Sequence, residues 1–328
     1  MIEPTFRSLL DEFETLHATV LGDLMLDRYV FGNVSRISPE APVMVVRQTQ
    51  DRSVPGGAAN VAKNVVALGA SVTVLGVTGS DAAGETLASE LAELKAIQSV
   101  LIQDPSRITT QKTRIVADHS HQVLRIDRED DAPVSADTEA QLIASLEHEL
   151  SGSHVLILSD YLKGVLTPEV AKRAIEIART KGIVVVANPK PKSALQYRGA
   201  SLVSLNRVET AGLLSRETIS LDEAKAFAPE VCRILDSQSV SITLGEEGLV
   251  TASGEQVAHI PAPKVEVYDT AGAGDTVVAV VGLGMAAHGW SPGVFRLATE
   301  ASARVVRHVG VAVPTAADLA ELRSLPDA

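Results

Sequence analysis

Two periods of apolar residues divide the chain. Phe6, Leu9, Leu10, Phe13 and Leu16 recur at helical spacing, so the chain opens with an amphipathic helix. Ala18-Thr19-Val20-Leu21-Gly22-Asp23 follows as an apolar strand ending in a glycine and an acid. From about residue 28 to 50 the pattern is β-rich, with Tyr29-Val30-Phe31 and Val43-Met44-Val45-Val46 separated by turn residues. From Gly56 onwards helix and strand alternate: a helix over Ala58–Leu68 stopped by Gly69, a strand over Ser71–Val77, a helix over Ala82–Lys95. Ile108–Ala117 and Gln122–Ile126 then predict two strands joined by the polar turn Asp118-His119-Ser120. Beyond them the alternation resumes to the end, with strands at 154–159, 183–187, 201–205 and 239–244. Thr167-Pro168-Glu169 starts a helix that stops at Gly182, and Ser291-Pro292 starts the last one, which ends near Gly310.

Repeated βα units imply an α/β fold with a mainly parallel sheet and helices on both faces. The β-only stretches at about 28–50 and 107–127 do not fit that sheet, and they are read as one small β lid on a single domain spanning 1–328. Apolar residues make up 45% of the chain and aromatics only 3%, which suits strands buried on both faces under closely packed helices. The net charge of −12, from 29 basic and 41 acidic residues, argues against nucleic-acid or membrane-surface partners. Local backbone N–H groups can still hold a phosphate. Cys232 is the one cysteine, so a reducing compartment is expected. Met1-Ile2-Glu3-Pro4 shows no signal-peptide pattern. The longest apolar run, Thr276–Ala287, falls short of the roughly 20 residues that span a bilayer, so a cytoplasmic protein is expected.

Four short patterns could carry chemistry. Asp269-Thr270-Ala271-Gly272-Ala273-Gly274-Asp275 leads directly into the apolar helical run. Small residues at a helix N-terminus bring unpaired N–H groups and the positive end of the dipole close to a ligand, and an acid there can accept a proton. The same residues also read as a glycine-rich turn with Asp275 capping the helix. Pro55-Gly56-Gly57-Ala58-Ala59-Asn60 again opens a helix, and by itself reads as a flexible turn. Asn206-Arg207-Val208-Glu209 follows a strand end, where ligands sit in open α/β sheets; it could orient Mg²⁺ through water or serve only as a helix start. Thr243-Leu244-Gly245-Glu246-Glu247-Gly248 also ends a strand and could be an ordinary turn.

No Gly-Lys dipeptide, G-x-G-x-x-G after the first strand, H-E-x-x-H, paired cysteine motif or G-x-S-x-G occurs, which removes the common nucleotide, metal and hydrolase signatures. The four patterns in their order resemble the ribokinase-like (PfkB) carbohydrate kinases over nearly the whole chain. That resemblance implies a three-layer α/β/α sandwich with a small β-sheet lid. It implies ATP and Mg²⁺ as cofactors, with a monovalent cation left open. It also implies that Asp275 is the catalytic base and that Gly272, Ala273 and Gly274 form an anion hole. By the same carry-over Asn206 and Glu209 order the metal through water, and Thr243, Gly245, Gly248 and Thr270 meet the nucleotide. Asp23, Asp27, Arg36, Gly56, Gly57, Asn60 and Lys163 fall to the sugar.

Within the family the chain looks most like the heptose 7-phosphate kinases of lipopolysaccharide-precursor synthesis. The residues concerned are Gly22–Tyr29, Ser35-Arg36-Ile37-Ser38-Pro39-Glu40-Ala41-Pro42-Val43, Ser159-Asp160-Tyr161 and Lys163-Gly164. Those kinases phosphorylate the anomeric hydroxyl. The alternatives are a kinase for another sugar or sugar phosphate (ribose, fructose or fructose phosphate) and a non-catalytic sugar or nucleotide sensor. No H-x-G-H motif occurs, so a stand-alone kinase is expected, homodimeric through the lid. Asn188-Pro189-Lys190-Pro191 and Leu162 depart from the family pattern, which carries Asp-Pro-Lys-Gly and a glycine. A remote sugar phosphate would need cations, for which Arg36, Arg107, Lys112, Arg114 and Arg125 are the candidates, unless Asp127 and Glu129 neutralise them.

Overall fold

The computed structural model describes residues 3–94, 96–117 and 121–325. The strands are β1 (His17–Gly22), β2 (Leu24–Ile37), β3 (Met44–Gly57), β4 (Ser71–Thr78), β5 (Ile97–Gln103), β6 (Thr110–Ala117), β7 (His121–Arg128), β8 (Val155–Ser159), β9 (Val184–Asn188), β10 (Leu202–Asn206), β11 (Ser239–Thr243), β12 (Leu249–Ser253) and β13 (Gln256–Ile260). The helices are α1 (Phe6–Phe13), α2 (Ala58–Ala67), α3 (Ala82–Ala92), α4 (Ala136–Glu149), α5 (Pro168–Thr180), α6 (Arg207–Leu213), α7 (Leu221–Leu235), α8 (Ala273–His288), α9 (Pro292–Val305) and α10 (Ala316–Ser324). The large sheet runs β13-β12-β11-β10-β9-β8-β1-β4-β5, and the small one β3-β2-β6-β7.

Strand β8 explains the layering. Val155, Leu156, Ile157 and Leu158 are all fully buried, because successive side chains enter opposite cores. Val155 and Ile157 pack with α1, α2, α8 and α9, whereas Leu156 and Leu158 pack with α4, α5 and α7. Helices therefore cover both faces of a sheet that is parallel from β5 to β11. A Cβ at Gly282 would lie 2.9 Å from the Ile157 side chain, so α8 rests directly on the sheet.

β12 and β13 are antiparallel additions at one edge, so βα alternation does not continue to the end. The helix opening at Pro292 ends at Val305, and α10 follows it. β5, α4 and α7 were not anticipated; α7 carries Pro229 in its interior, which reads locally as a helix breaker. Pro55-Gly56-Gly57 is the end of β3 and not a loop. Helix α3 stops at Ala92; Lys95, the turn Asp118-His119-Ser120, Met1 and Ile2 lie outside the described residues. Among the described residues no helix is long and apolar enough to cross a membrane.

Candidate active site

The carboxyl ends of the parallel strands meet the N-terminus of α8, and the buried Asp275 stands there in the first helical turn. Gly272, the N-cap, has φ +87°, a left-handed conformation that glycine adopts without strain. It offers no side chain to cap the helix, and of the first N–H groups that of Ala273 donates to Thr270 O at 3.3 Å. A Cβ on Gly274 would meet nothing within 4 Å.

Asp275 Oδ2 accepts a hydrogen bond from Asn60 Nδ2 and Oδ1 accepts one from the Tyr161 hydroxyl, both at 2.7 Å. Burial raises its pKa above the usual carboxylate value, while these two donors act in the opposite direction. Burial, followed by the charge of Asp275, pushes the Tyr161 phenol well above its usual value, so it stays a donor. Asn60 is fully buried, and its amide oxygen has no partner. Because its NH₂ must face Asp275, that oxygen is left as an unpaired buried acceptor beside the carboxylate. One turn on, the Thr276 hydroxyl donates to Asn64 Oδ1 at 2.7 Å, so two buried polar pairs join α2 to α8.

Gly56, expected at the sugar, packs directly on Asp27: a Cβ at Gly56 would collide with the Asp27 carboxylate. Asp27 is ion-paired with Arg114, whose guanidinium lies 5.3 Å from the Tyr29 ring centre. Gly57, with φ +58°, turns the chain from β3 into α2.

Asp23 is differently employed. Its Oδ2 accepts from the N–H groups of Tyr161 (2.7 Å) and Lys163 (3.1 Å), and Oδ1 from that of Val165 (3.2 Å). Burial, and after it the neighbouring Asp160, pushes its pKa up to about 6. Asp23 therefore organises the 161–165 loop and is spent on backbone. Lys163 is held by Glu129 and Asp131 at 3.0 and 2.7 Å, and Arg36 is exposed on the outer part of β2; neither lines the cavities around Asp275. Arg107 donates to the carbonyls of Asp130, Ala132 and Lys163, and Arg125 pairs with Asp127 at 2.9 Å.

Asn206 and Glu209 form a capping box. Asn206 Oδ1 accepts from Glu209 N, and Glu209 Oε2 from Asn206 N, both at 2.8 Å. Glu209 Oε1 is also 2.7 Å from Lys190 Nζ, which lies 5.0 Å from the Tyr161 ring centre. Direct metal coordination does not fit a carboxylate committed in this way; contact through water does, since Glu209 lines a cavity of about 120 Å³ with Lys190, Asn188 and Asp275. Asn188 donates its amide to Ser204 O at 3.0 Å, a bond that an aspartate could not make. Leu162 has φ +58°, which explains why glycine suits that position.

A larger cleft of about 600 Å³ adjoins, sharing Thr243 and Gly274 with the smaller cavity. Thr243, Gly245, Gly248 and Thr270, the residues expected at the nucleotide, all line it. Its apolar wall, from Pro263, Val265, Val277 and Val306, was not foreseen. The slot suits a planar base and ribose, with the uncapped turn of α8 at its inner end. Tyr161, Asn64 and Thr276 were also missed. The spacing Asn60-x-x-x-Asn64 in an Ala/Val helix is the signal that could have found the α2–α8 ladder.

Comparison with known proteins identifies the family and the fold. A family model described as pfkB family carbohydrate kinase matches residues 16–318. The chain is similar to a protein named Bifunctional protein HldE from Bradyrhizobium sp. (strain ORS 278), with 42% identity over 302 residues, covering 91% of this chain and 61% of that one. The protein of the same name from Caulobacter vibrioides is 41% identical over 304 residues, covering 92% and 62%. The chain thus spans about three fifths of the length of these relatives. Phosphofructokinase-2 from Escherichia coli, solved in complex with potassium, has the same ribokinase-like fold, at TM-score 0.82 and 23% identity over 94% of this chain and 98% of that one.

Proposed function

Because the chain belongs to the pfkB family of carbohydrate kinases, which are ATP-dependent, we propose that it phosphorylates the anomeric hydroxyl of D-glycero-D-manno-heptose 7-phosphate to the 1,7-bisphosphate, in ADP-heptose and lipopolysaccharide-precursor synthesis. The observation that carries the chemistry is the buried Asp275 beside a helix N-terminus without a side-chain cap, on the wall of the smaller cavity and next to Gly274, which both cavities share. The sugar assignment is supported by the resemblance of Gly22–Tyr29 and Ser35–Val43 to heptose 7-phosphate kinases, and by the similarity to the HldE proteins.

In this reading ATP occupies the larger cleft and supplies the phosphoryl group, with Mg²⁺ reached through water from Asn206 and Glu209. Asn60 Nδ2 and the Tyr161 hydroxyl hold Asp275 in position, and Asn60 Oδ1 accepts a hydrogen bond from a sugar hydroxyl. Asp275 takes the proton of the attacking hydroxyl, and the N–H groups of Gly272 and Gly274 stabilise charge on the group in transfer, that of Ala273 being held by Thr270 O. Lys190, beside Asp275 and Glu209, adds a cation at the same mouth. Two copies pair through the small sheet, and the setting is cytoplasmic.

The test is a panel of phosphorylated and free sugars with ATP and Mg²⁺, read by phosphorus NMR. A 1,7-bisphosphate formed with far higher kcat/KM than any product of ribose, fructose or fructose 6-phosphate is expected. Comparable efficiency on those sugars would move the assignment to another substrate of the same family, and no phosphoryl transfer to any of them would leave a sensor.

A further inference from the structure

The small sheet has two unlike faces. From the strand pairing, Tyr29 and Phe31 share their face with Arg52, Lys112 and Arg114, and this face turns towards α2 and the segment after α9. Between them lies a third cavity of about 380 Å³, with Arg52, Lys63 of α2 and His308 on its wall and Val309–Val313 behind. This is not the cleft of Asp275, with which it shares no lining residue.

Charge marks the cavity out. Several other basic residues near the site are neutralised where they stand: Arg114 by Asp27, Arg125 by Asp127, Lys163 by Glu129 and Asp131, Lys190 by Glu209; Lys112, on the same sheet face, has no ion pair among the described residues but does not line the cavity. Among the described residues no ion pair engages Arg52 or Lys63, although Lys63 is only partly exposed. Burial and then the charge of Arg52 hold the Lys63 ammonium below its usual pKa; Glu90 and Asp27 act in the other direction without contacting it. His308 stands 3.7 Å from Asp318. Two cations that repel one another across a concave surface are stabilised by an anion between them. A guanidinium offers two parallel donors to a phosphate and an ammonium a third.

The cavity also touches the machinery. Its back wall, the 309–312 segment, is tied to Tyr29, whose hydroxyl accepts from Val311 N at 2.9 Å. The same segment is tied to Asp269, whose Oδ2 accepts from Gly310 N at 2.9 Å while Oδ1 accepts from Ala271 N at 2.9 Å. Asp269 opens the motif that turns at Gly272, and a Cβ at Gly272 would lie 3.4 Å from Ala312 O. Lys63 is one helical turn from Asn60, the partner of Asp275.

We infer that this cavity is a phosphate-binding site in which Arg52 and Lys63 hold a dianionic phosphoryl group against the Val309–Val313 segment. The group can come from two sources: the remote phosphate of the sugar, which rests on the function proposed above, or a separate phosphorylated molecule.

The probe is inorganic phosphate, titrated calorimetrically at constant ionic strength with the nucleotide cleft filled by saturating ADP. Saturable binding to the unmodified protein is expected. Arg52→Gln and Lys63→Gln should each weaken it about tenfold or more, the scale of one lost charge-assisted contact, whereas Lys63→Arg should retain it. Arg52 is exposed, so its variant carries the test even if Lys63→Gln fails to fold. Displacement of phosphate by the sugar phosphate assigns the site to the substrate; phosphate that remains bound beside it assigns the site to a separate effector. An absence of saturable binding, or binding that both glutamine variants leave intact, overturns the proposal. A wrong sugar assignment would show in the turnover panel and leave this titration unchanged.

Discussion

In the role proposed for it Asp275 must be ionised, and its surroundings act on that ionisation in opposite directions. Burial favours the neutral acid, whereas hydrogen bonds from Asn60 and Tyr161 favour the carboxylate. Asp275→Asn keeps the shape and removes the acceptor, and should lower kcat by about 10²–10⁴ with substrate binding largely retained. Tyr161→Phe is the subtler probe. Losing a donor to the ionised form raises the pKa of Asp275 further, so the acid limb of kcat/KM should move to higher pH; an unmoved limb would remove Tyr161 from this role. Asp23 is a different case. With its folded pKa raised to about 6 from 3.8, it binds its proton more tightly when folded, so its stabilising effect is complete below about pH 4 and is lost as pH rises to 6. The stability of the wild type relative to Asp23→Asn, read from urea unfolding, should therefore fall by about 3 kcal/mol between pH 4 and 7. A flat difference would mean that its three N–H donors outweigh burial.

Among the elements, α8 carries the proposed chemistry, and its turn is where stability and activity can be separated. A methyl at Gly274 meets no protein atom, and alanine propagates a helix better than glycine by up to about 1 kcal/mol. Gly274→Ala should therefore keep or raise the melting temperature while lowering kcat/KM about tenfold or more, since the methyl enters the space shared by both cavities. Equal activity would show that nothing passes that close to the turn. The apolar run after Asp275, the β8 strand and the capped start of α5 were legible because each declares itself within a few residues. The glycine-rich turn was legible for the same reason. What escaped depends on distant partners. The edge strands β12 and β13 obey no βα rule, and Tyr161 meets Asp275 across 114 positions. Arg36 and Lys163 look like substrate cations locally, but one is exposed and the other belongs to Glu129 and Asp131. Leu162 was recognised as unusual in sequence; its φ of +58° supplies the reason, a left-handed backbone that costs a branched residue about 1–2 kcal/mol.

At the scale of the whole molecule, the unresolved demand is the outer face of the small sheet. Tyr29, Val54 and Val116 bury its inner face, with Val311 packed against them. Strand pairing puts Val30, Ile115, Leu124 and Ile126 together on the other face, and Leu124 and Ile126 are 52% and 51% exposed. Arg28 and Asp51, ion-paired beside Val30, give that patch a polar margin. An apolar centre with a charged rim is the usual anatomy of an interface, and a single-layer sheet with open edges needs covering. A second copy is the occupant we propose, because a two-fold contact sets the same patch against itself and leaves no apolar surface over. In such a contact each substitution acts twice, so Ile126→Lys should convert a dimer into a monomer at micromolar concentration, as read by sedimentation velocity. Because Ile126 points away from the core, far-ultraviolet circular dichroism should remain unchanged. A wild-type chain that sediments as a monomer, or a variant that keeps the dimer mass, would show that this face serves some other purpose.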